Sequence, residues 1–346
     1  MHDFDEGVYK YGMSHILHHY IYNIKNITLN TLNDRLKGFD YTSNNISNRL
    51  PALREHEVKK KHLSFSANEM SNFLLLFPFL VGEDVSYDEV WEYYLILRKI
   101  HDLVNAKYLQ KECAGLLGVL VEEHHVKYCN VFMDNLKPKH HNMTHYKTIL
   151  KKSGPPSHLS VARFESKNRL LKLAANATCS RKNITHSLAV KEQLYLCYRF
   201  SSKIGLIDNQ KLGSILFADD ISYFNNYSTF KNSLPANFIG KCLELSWAQF
   251  KGICYKPNLC VVVNISFDHL PQFGIVRHVL CNDSNLCLVY QNLLNKRFCK
   301  NLHGWEVEVL SEMSCILVEH LCHPFPAIIA RLPKSGSLLV STKYAL

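Results

Sequence analysis

Glu165 is a carboxylate among cations. It sits in Val161-Ala162-Arg163-Phe164-Glu165-Ser166-Lys167, with Arg169 and Lys172 following. A glutamate so placed has two uses. One is an ion pair with Arg163, Lys167 or, a helical turn on, Arg169. The other is to ligate a divalent metal at a phosphodiester. That chemistry needs several converging carboxylates, because two magnesium ions a few ångströms apart must be balanced by oxygen ligands. Between Lys137 and Lys203 only Glu192 could join it, so the residues alone favour the ion pair.

Histidine is the second group. The chain has 19, and the densest run is Lys137-Pro138-Lys139-His140-His141-Asn142-Met143-Thr144-His145. On a helix His141 and His145 share a face, a spacing zinc sites often use, and His124 and His125 are the next donors. Zinc wants three or four ligands, so such a site exists only if the fold joins these pairs. Otherwise the imidazoles are polar or stacking contacts in a basic face. His124 shares an apolar helical stripe with Leu117, Val121 and Tyr128 and reads as a core histidine. No metal is assigned. Asp219-Asp220, within Leu216-Phe217-Ala218-Asp219-Asp220-Ile221-Ser222-Tyr223, has the form of a reverse-transcriptase aspartate pair, but no polymerase pattern surrounds it. Neither a Gly-rich phosphate loop nor a Gly-x-Ser-x-Gly elbow is present.

These residues lie in or beside a strongly basic stretch. Lys137–Lys203 carries fourteen Lys/Arg against Glu165 and Glu192, a balance of +12 where the whole chain carries +10. Local basicity of this kind fits a polyanion. The residues expected to touch nucleic acid are Lys137, Lys139, His140, His141, His145, Lys151, Lys152, Arg163, Lys167 and Arg169. The alternative is a solvated cationic face.

The elements that must position them change character along the chain. Ser66-Ala67-Asn68-Glu69 is a capping-box pattern ahead of Met70, Phe73, Leu74 and Phe77. Ser86-Tyr87-Asp88-Glu89 repeats it ahead of Trp91, and a third helix is expected over Glu112–Phe132. Asn44–Arg54 reads as a loop. Gly154 and the Pro155-Pro156 pair break the chain at Lys151–Leu159. Helical pattern resumes near Ser160, and Asn183 could cap another helix to Phe200. Residues 205–240 are weakly patterned and read as a linker. Beyond Trp247, short β-branched runs separated by turn residues predict an antiparallel sheet or barrel: Leu259–Ser266, Gly274–Leu280, Leu286–Tyr290, Trp305–Val309 and Leu338–Thr342. The class is therefore α+β. A helical part spans 1–150, a basic helical segment 151–204, a linker 205–240 and a β module 241–346.

With 346 residues, 47% apolar and 20% charged, the chain has material for about two domains. The longest apolar run, Phe73–Val81, contains Pro78 and is too short to span a bilayer. Asp3, Asp5 and Glu6 stand where a signal peptide would be cationic. The twelve cysteines include no Cys-x-x-Cys pair and read as free thiols of a reducing compartment. A nuclear or cytoplasmic protein is expected, neither secreted nor membrane-bound.

Taken in order, several segments resemble transposon-encoded proteins of animals related to the CACTA/KDZ-like transposases. They are His2-Asp3-x-x-Glu6-Gly7-Val8-Tyr9, Leu29-x-x-Leu32-Asn33-Asp34-Arg35 with Phe39-Asp40-Tyr41, and Glu122-Glu123-His124-His125. Asn135-Leu136-Lys137-Pro138-Lys139-His140-His141 with His145-Tyr146 follows, then Gly154-Pro155 and Arg163-Phe164-Glu165-Ser166-Lys167. Lys251-Gly252-x-x-Tyr255, Pro271-x-Phe273-Gly274 and Tyr344-Ala345-Leu346 close the series. The resemblance covers nearly the whole chain and implies an RNase H-like core interrupted by a helical insertion. Under it, residues 1–150 would be mostly insertion, Glu165 the last catalytic acid, and His2 the histidine of an Asp-x-x-His element. The aspartate before His2 and the strands bearing the first two catalytic aspartates would lie upstream of Met1. Where the family has Trp-Ser-Met-Arg-Phe-Glu, this chain has Leu159-Ser160-Val161-Ala162-Arg163-Phe164-Glu165.

The expectation is a truncated, transposase-derived protein, catalytically inactive alone, that binds DNA through the basic segment. It needs no cofactor alone, and magnesium only if an intact site were completed. The alternatives are a domesticated DNA-binding or protein-interaction module, with a protein partner at the β module, and, more remotely, phosphodiester transfer with aspartates from another chain.

Overall fold

Ser66 and Glu69 start the central helix as their types predict. The Ser66 Oγ accepts from the Glu69 N–H, and the Glu69 carboxylate accepts from the Ser66 N–H at 2.8 Å. The computed structural model describes all residues except 1–2, 45, 47–48, 180, 204–209, 225, 269, 284 and 346, and only the backbone of 162–166. The architecture is α+β. In chain order the helices are α1 (Tyr9–His18, with a π-helical turn at each end), α2 (Leu29–Gly38), α3 (Glu55–Lys59), α4 (Ala67–Val81), α5 (Glu89–Asn105), α6 (Cys113–Phe132), α7 (Pro138–Met143), α8 (Tyr146–Ser153), α9 (Ala162–Ala177) and α10 (Ile184–Ser202). Strands β1 (Gln210–Leu212) and β2 (Ile215–Asp220), with helix α11 (Tyr227–Phe230), lead to β3 (Lys241–Leu245), β4 (Ala248–Phe250), β5 (Ile253–Tyr255), β6 (Cys260–Ile265), β7 (Pro271–Asn282), β8 (Asn285–Cys299), β9 (Gly304–Leu317), β10 (His323–Arg331) and β11 (Leu338–Ser341).

Helix α4 is apolar on every side from Phe73 to Val81 and is buried accordingly. Pro78 lies inside it and cannot donate to the Leu74 carbonyl. The Tyr94 hydroxyl of α5 donates to that carbonyl instead, at 2.9 Å, so the proline sits in the core with no orphaned acceptor. The cap of α5 is Asp88 rather than Ser86. Its carboxylate accepts from the Trp91 N–H at 2.9 Å and from the Tyr20 hydroxyl at 2.7 Å, which ties α5 to the first helix. Helix α8 runs through Lys151 and Lys152 and ends only at Gly154, whose φ of +86° stops it without side-chain strain.

All strand pairings are antiparallel. Six strands close on themselves in the order β6–β7–β8–β9–β11–β10, since β6 pairs β10 and β7 pairs β8. Alternate residues of every strand meet inside: Cys260 and Val262, Phe273 and Ile275, Leu293, Val307, Ala327, and Val340 form one buried cluster. The C-terminal half of β7 exchanges β6 for β3, so β2 and β3 extend a second sheet from the barrel. Bulges at Val276/His278 and Gln291/Leu293 bend the long strands where this happens.

The segment read as a linker is ordered where it is described. From Gln210 onward it supplies β1 and β2, and Ile221, Phe224, Phe230, Leu234 and Phe238 cover one face of the extended sheet against Cys242, Leu280 and Val289. Short turns of mixed character hide such a cover, because its apolar residues follow no single period. Strand β10 does not follow from the sequence pattern either: Pro324 and Pro326 argue against a strand, but they fall at the register shift between His323 and Ala327, where no ladder bond is required.

Barrel and helices share a core. Ile328, Leu332 and Leu339, on the outward faces of β10 and the loop and strand that follow, join the cluster of Phe73, Tyr94 and Leu97. A polar lock fastens the junction. Arg98, fully buried, donates to Asp102 at 2.9 Å and to the Thr342 carbonyl at 2.6 Å, and His303 meets Asp102 at 2.7 Å. The Asn44 side chain continues the ladder, accepting from Ile329 N–H at 2.7 Å.

Candidate nucleic-acid interface

The basic segment divides into an anchored start and an exposed remainder. Lys137 lies 3.2 Å from Asp134 and 4.5 Å from the centre of the Tyr11 ring. Asp134 also accepts from Tyr128 at 2.8 Å and meets His15 at 3.2 Å. Burial raises the Asp134 carboxyl, but these partners outweigh it and hold the group well below the usual range. Lys139 donates to the Glu6 carbonyl at 3.3 Å, and its stem lies on Gly7, where a Cβ would collide with the lysine Cδ. His140 is fully buried. Lys139 and His140 of the expected interface are thus turned into the helical body, and Lys137 is tied at its edge with its side chain 40% exposed.

Packing against α6 explains His140. Its ring lies 4.7 Å from Tyr128, 5.7 Å from His124 and 5.8 Å from His125. Burial, then the neighbouring charges of His125 and Lys137, push it down to about 4, and burial holds His124 well below its ordinary value. The fold therefore does gather three imidazoles, but not as a metal cage. The Nδ1 of His140 accepts from the Lys137 N–H at 2.9 Å, so a neutral ring carries its proton on Nε2 and offers no lone pair there. His124 Nε2 faces the Tyr93 hydroxyl at 2.8 Å. Among the described residues no group of three or more His, Cys, Asp or Glu is arranged to hold a metal. His141 and His145 lie edge to face at 5.0 Å on the surface. All twelve cysteines are unpaired.

The remainder of the segment is exposed. Lys151 and Lys152 end α8 in solvent, and Arg169, Lys172, Arg181, Lys182, Lys191 and Lys203 are exposed along α9, α10 and their connection. Helices α9 and α10 contact each other as an antiparallel hairpin, and α10 buries no residue at all. Lys167 pairs with Glu192 across the hairpin, which occupies the one acid that could have joined Glu165. Glu165 lies in the first turn of α9. The side chains of Arg163 and Glu165 lie outside the described residues, as does His2 altogether.

Sequence reasoning missed the aromatic part of this surface. Tyr195, Tyr198 and Phe200 are 46%, 60% and 62% exposed, and Leu170, Leu173 and Leu194 are also open. Lys167 and Arg199 each stand 5.8 Å from the Tyr195 ring centre. A signal was present: residues 184–200 are apolar on more than one helical face, which marks a helix that is either central or in search of a partner.

Two other places hold no catalytic arrangement. Asp220 accepts from the Ser222 N–H at 2.9 Å and its hydroxyl at 2.6 Å, so the aspartate pair caps a turn after β2. A cleft of about 300 Å³ between α5 and the barrel is lined by Tyr87, Trp91, Arg297 and Glu306. There Arg297 and Glu306 satisfy each other at 2.7 Å and Trp91 donates to the Asn301 carbonyl. Among the described residues no helix is long and apolar enough to cross a membrane. No protein-family model, no curated protein and no solved structure matches the chain.

Proposed function

We propose that this chain is a transposase-derived protein of the CACTA/KDZ-like kind that binds nucleic acid, DNA first of all, and performs no strand chemistry by itself. The observation that carries the binding is the α9–α10 hairpin: exposed, rich in Lys and Arg, and following in sequence the exposed Lys151 and Lys152 at the end of α8. Exposed cations such as Arg169, Lys172, Arg181 and Lys182 are the kind of group that displaces counterions from a phosphate backbone. The anchored residues Lys139 and His140, with Lys137 at the edge, serve a different purpose, holding α7 on the helical body.

The test is equilibrium binding of the purified chain to a labelled DNA duplex over a range of salt. A log–log slope steeper than about −4 is expected, since each neutralised phosphate contributes roughly −0.9. A flat dependence or no binding at low salt would sink the reading. The chemical half has its own check. Magnesium-dependent cleavage of the duplex that disappears in Glu165→Ala would show the chain to be an active enzyme.

A second reading is favoured by the exposed Leu170, Leu173 and Leu194: a domesticated module whose hairpin docks on another protein. Charge substitutions on the hairpin that leave DNA affinity intact while breaking a protein complex would support it over the first.

A further inference from the structure

We infer that the ligand of the hairpin is nucleic acid with unpaired bases, its bases stacking on the tyrosines of α10 and its phosphates meeting the surrounding cations. This rests on the nucleic-acid reading above and names the form of the ligand. Lys191, Tyr195 and Tyr198 stand at i, i+4 and i+7, so they line one face of α10 with Leu194 beside them. Lys167 from α9 and Arg199 from the next turn flank the Tyr195 ring at 5.8 Å. The face is therefore cation, ring, ring, cation, with both rings open to solvent.

Three considerations select the ligand. Charge comes first. Residues 162–203 hold nine Lys/Arg against Glu165 and Glu192, so pairing two hairpins would bring like charge onto like charge, whereas a polyanion is attracted. Ring chemistry comes second. A duplex keeps its base faces stacked inside and shows only edges and phosphates, so exposed tyrosine rings add nothing to duplex binding. A single strand offers its π-faces, and stacking tolerates any base. Spacing comes third. Tyr195 and Tyr198 are separated by about 4.5 Å along the helix axis, near the roughly 3.4 Å step of a nucleic-acid strand. Each ring can then take one of two neighbouring bases while Lys191 and Arg199 reach the phosphates on either side.

The experiment compares a short labelled oligothymidylate with a duplex of equal length across a salt series. It uses the full chain and the variants Tyr195→Ala, Tyr198→Ala and Tyr198→Phe, with circular dichroism to confirm that each is folded. The expected result is tighter binding of the single strand. Each alanine variant should weaken single-strand binding by about 5- to 150-fold, which is 1–3 kcal/mol per stacked base. Duplex affinity and both salt slopes should not change, and Tyr198→Phe should bind like the parent. Equal losses on both ligands, no loss on either, or duplex preferred over single strand would overturn this inference while the basic interface stood. Failure of both oligonucleotides to bind, or binding to anionic lipid vesicles alone, would remove both readings together.

Discussion

His140 and Lys151 belong to the same cationic stretch but meet opposite surroundings. His140 is buried among Tyr128, His124 and His125, and its ring titrates near 4. In the unfolded chain it titrates near 6.5. The folded protein therefore holds fewer protons than the unfolded one between these values, and stability is complete above about 6.5 and lost as pH falls toward 4. Going from pH 6.5 to 5 should cost roughly 2 kcal/mol from this residue alone, read as a fall in the denaturation midpoint that His140→Gln flattens. Lys151 and Lys152 are exposed on the surface of α8. Lys151→Glu with Lys152→Glu should leave stability within about 0.5 kcal/mol. It should weaken binding to all duplex sequences alike and lower the salt slope, measured by the same titration; a loss confined to particular sequences would contradict a phosphate role.

At the scale of elements, α4 and α10 are both strongly apolar yet end in different places. The α4 face of Phe73–Val81 is completed by α5 and the barrel. Its proline is tolerated because Tyr94 supplies the missing donor. Tyr94→Phe keeps the ring and removes only that hydroxyl, so it should cost about 1–3 kcal/mol, the penalty of leaving the buried Leu74 carbonyl unpaired. A midpoint in urea unchanged from the parent would show that the carbonyl finds another donor. Helix α10 contacts α9 and buries none of its residues, and apolar and aromatic side chains such as Leu194, Tyr198 and Phe200 stay open. That contrast is why the hairpin, and not the larger helical body, is the element assigned to a ligand.

For the whole molecule, the junction between helices and barrel is the largest commitment of the fold. Asp102 is buried, which raises its carboxyl, yet Arg98, His101 and His303 outweigh burial and keep it well below the usual carboxylate range. Lys343 nearby is pushed down to about 8 by burial and donates to the Asn44 carbonyl at 2.9 Å. Asp102→Ala would leave Arg98 charged and uncompensated in the core, at a cost of about 3–5 kcal/mol. Because the lock joins Ser341, Thr342 and His303 to α5, that variant should also lose the single cooperative transition, with the helices and the barrel unfolding at separate urea concentrations. A single transition with unchanged midpoint would show that the shared apolar core alone holds the two parts together.

Local chemistry determined the helices with clear caps, Ser66 before α4 and the turn before Trp91, because a cap and a 3.6-residue period act within a few residues of each other. It also determined the change to β structure after Trp247, the burial of His124 and the local excess of positive charge. Tertiary structure alone decided which cations stay free. Lys139 and His140 carry the same signature as Lys151 and Lys152, and only the positions of Glu6 and Tyr128, brought in from other elements, separate anchors from an open surface, whereas the Lys137–Asp134 pair is a local i, i+3 contact. The closure of six strands, the cover formed by residues 221–238 and the proline-bearing strand β10 were likewise settled by contacts between distant segments. Burial and ion pairing depend on what the rest of the chain places beside a residue, and no local pattern contains that.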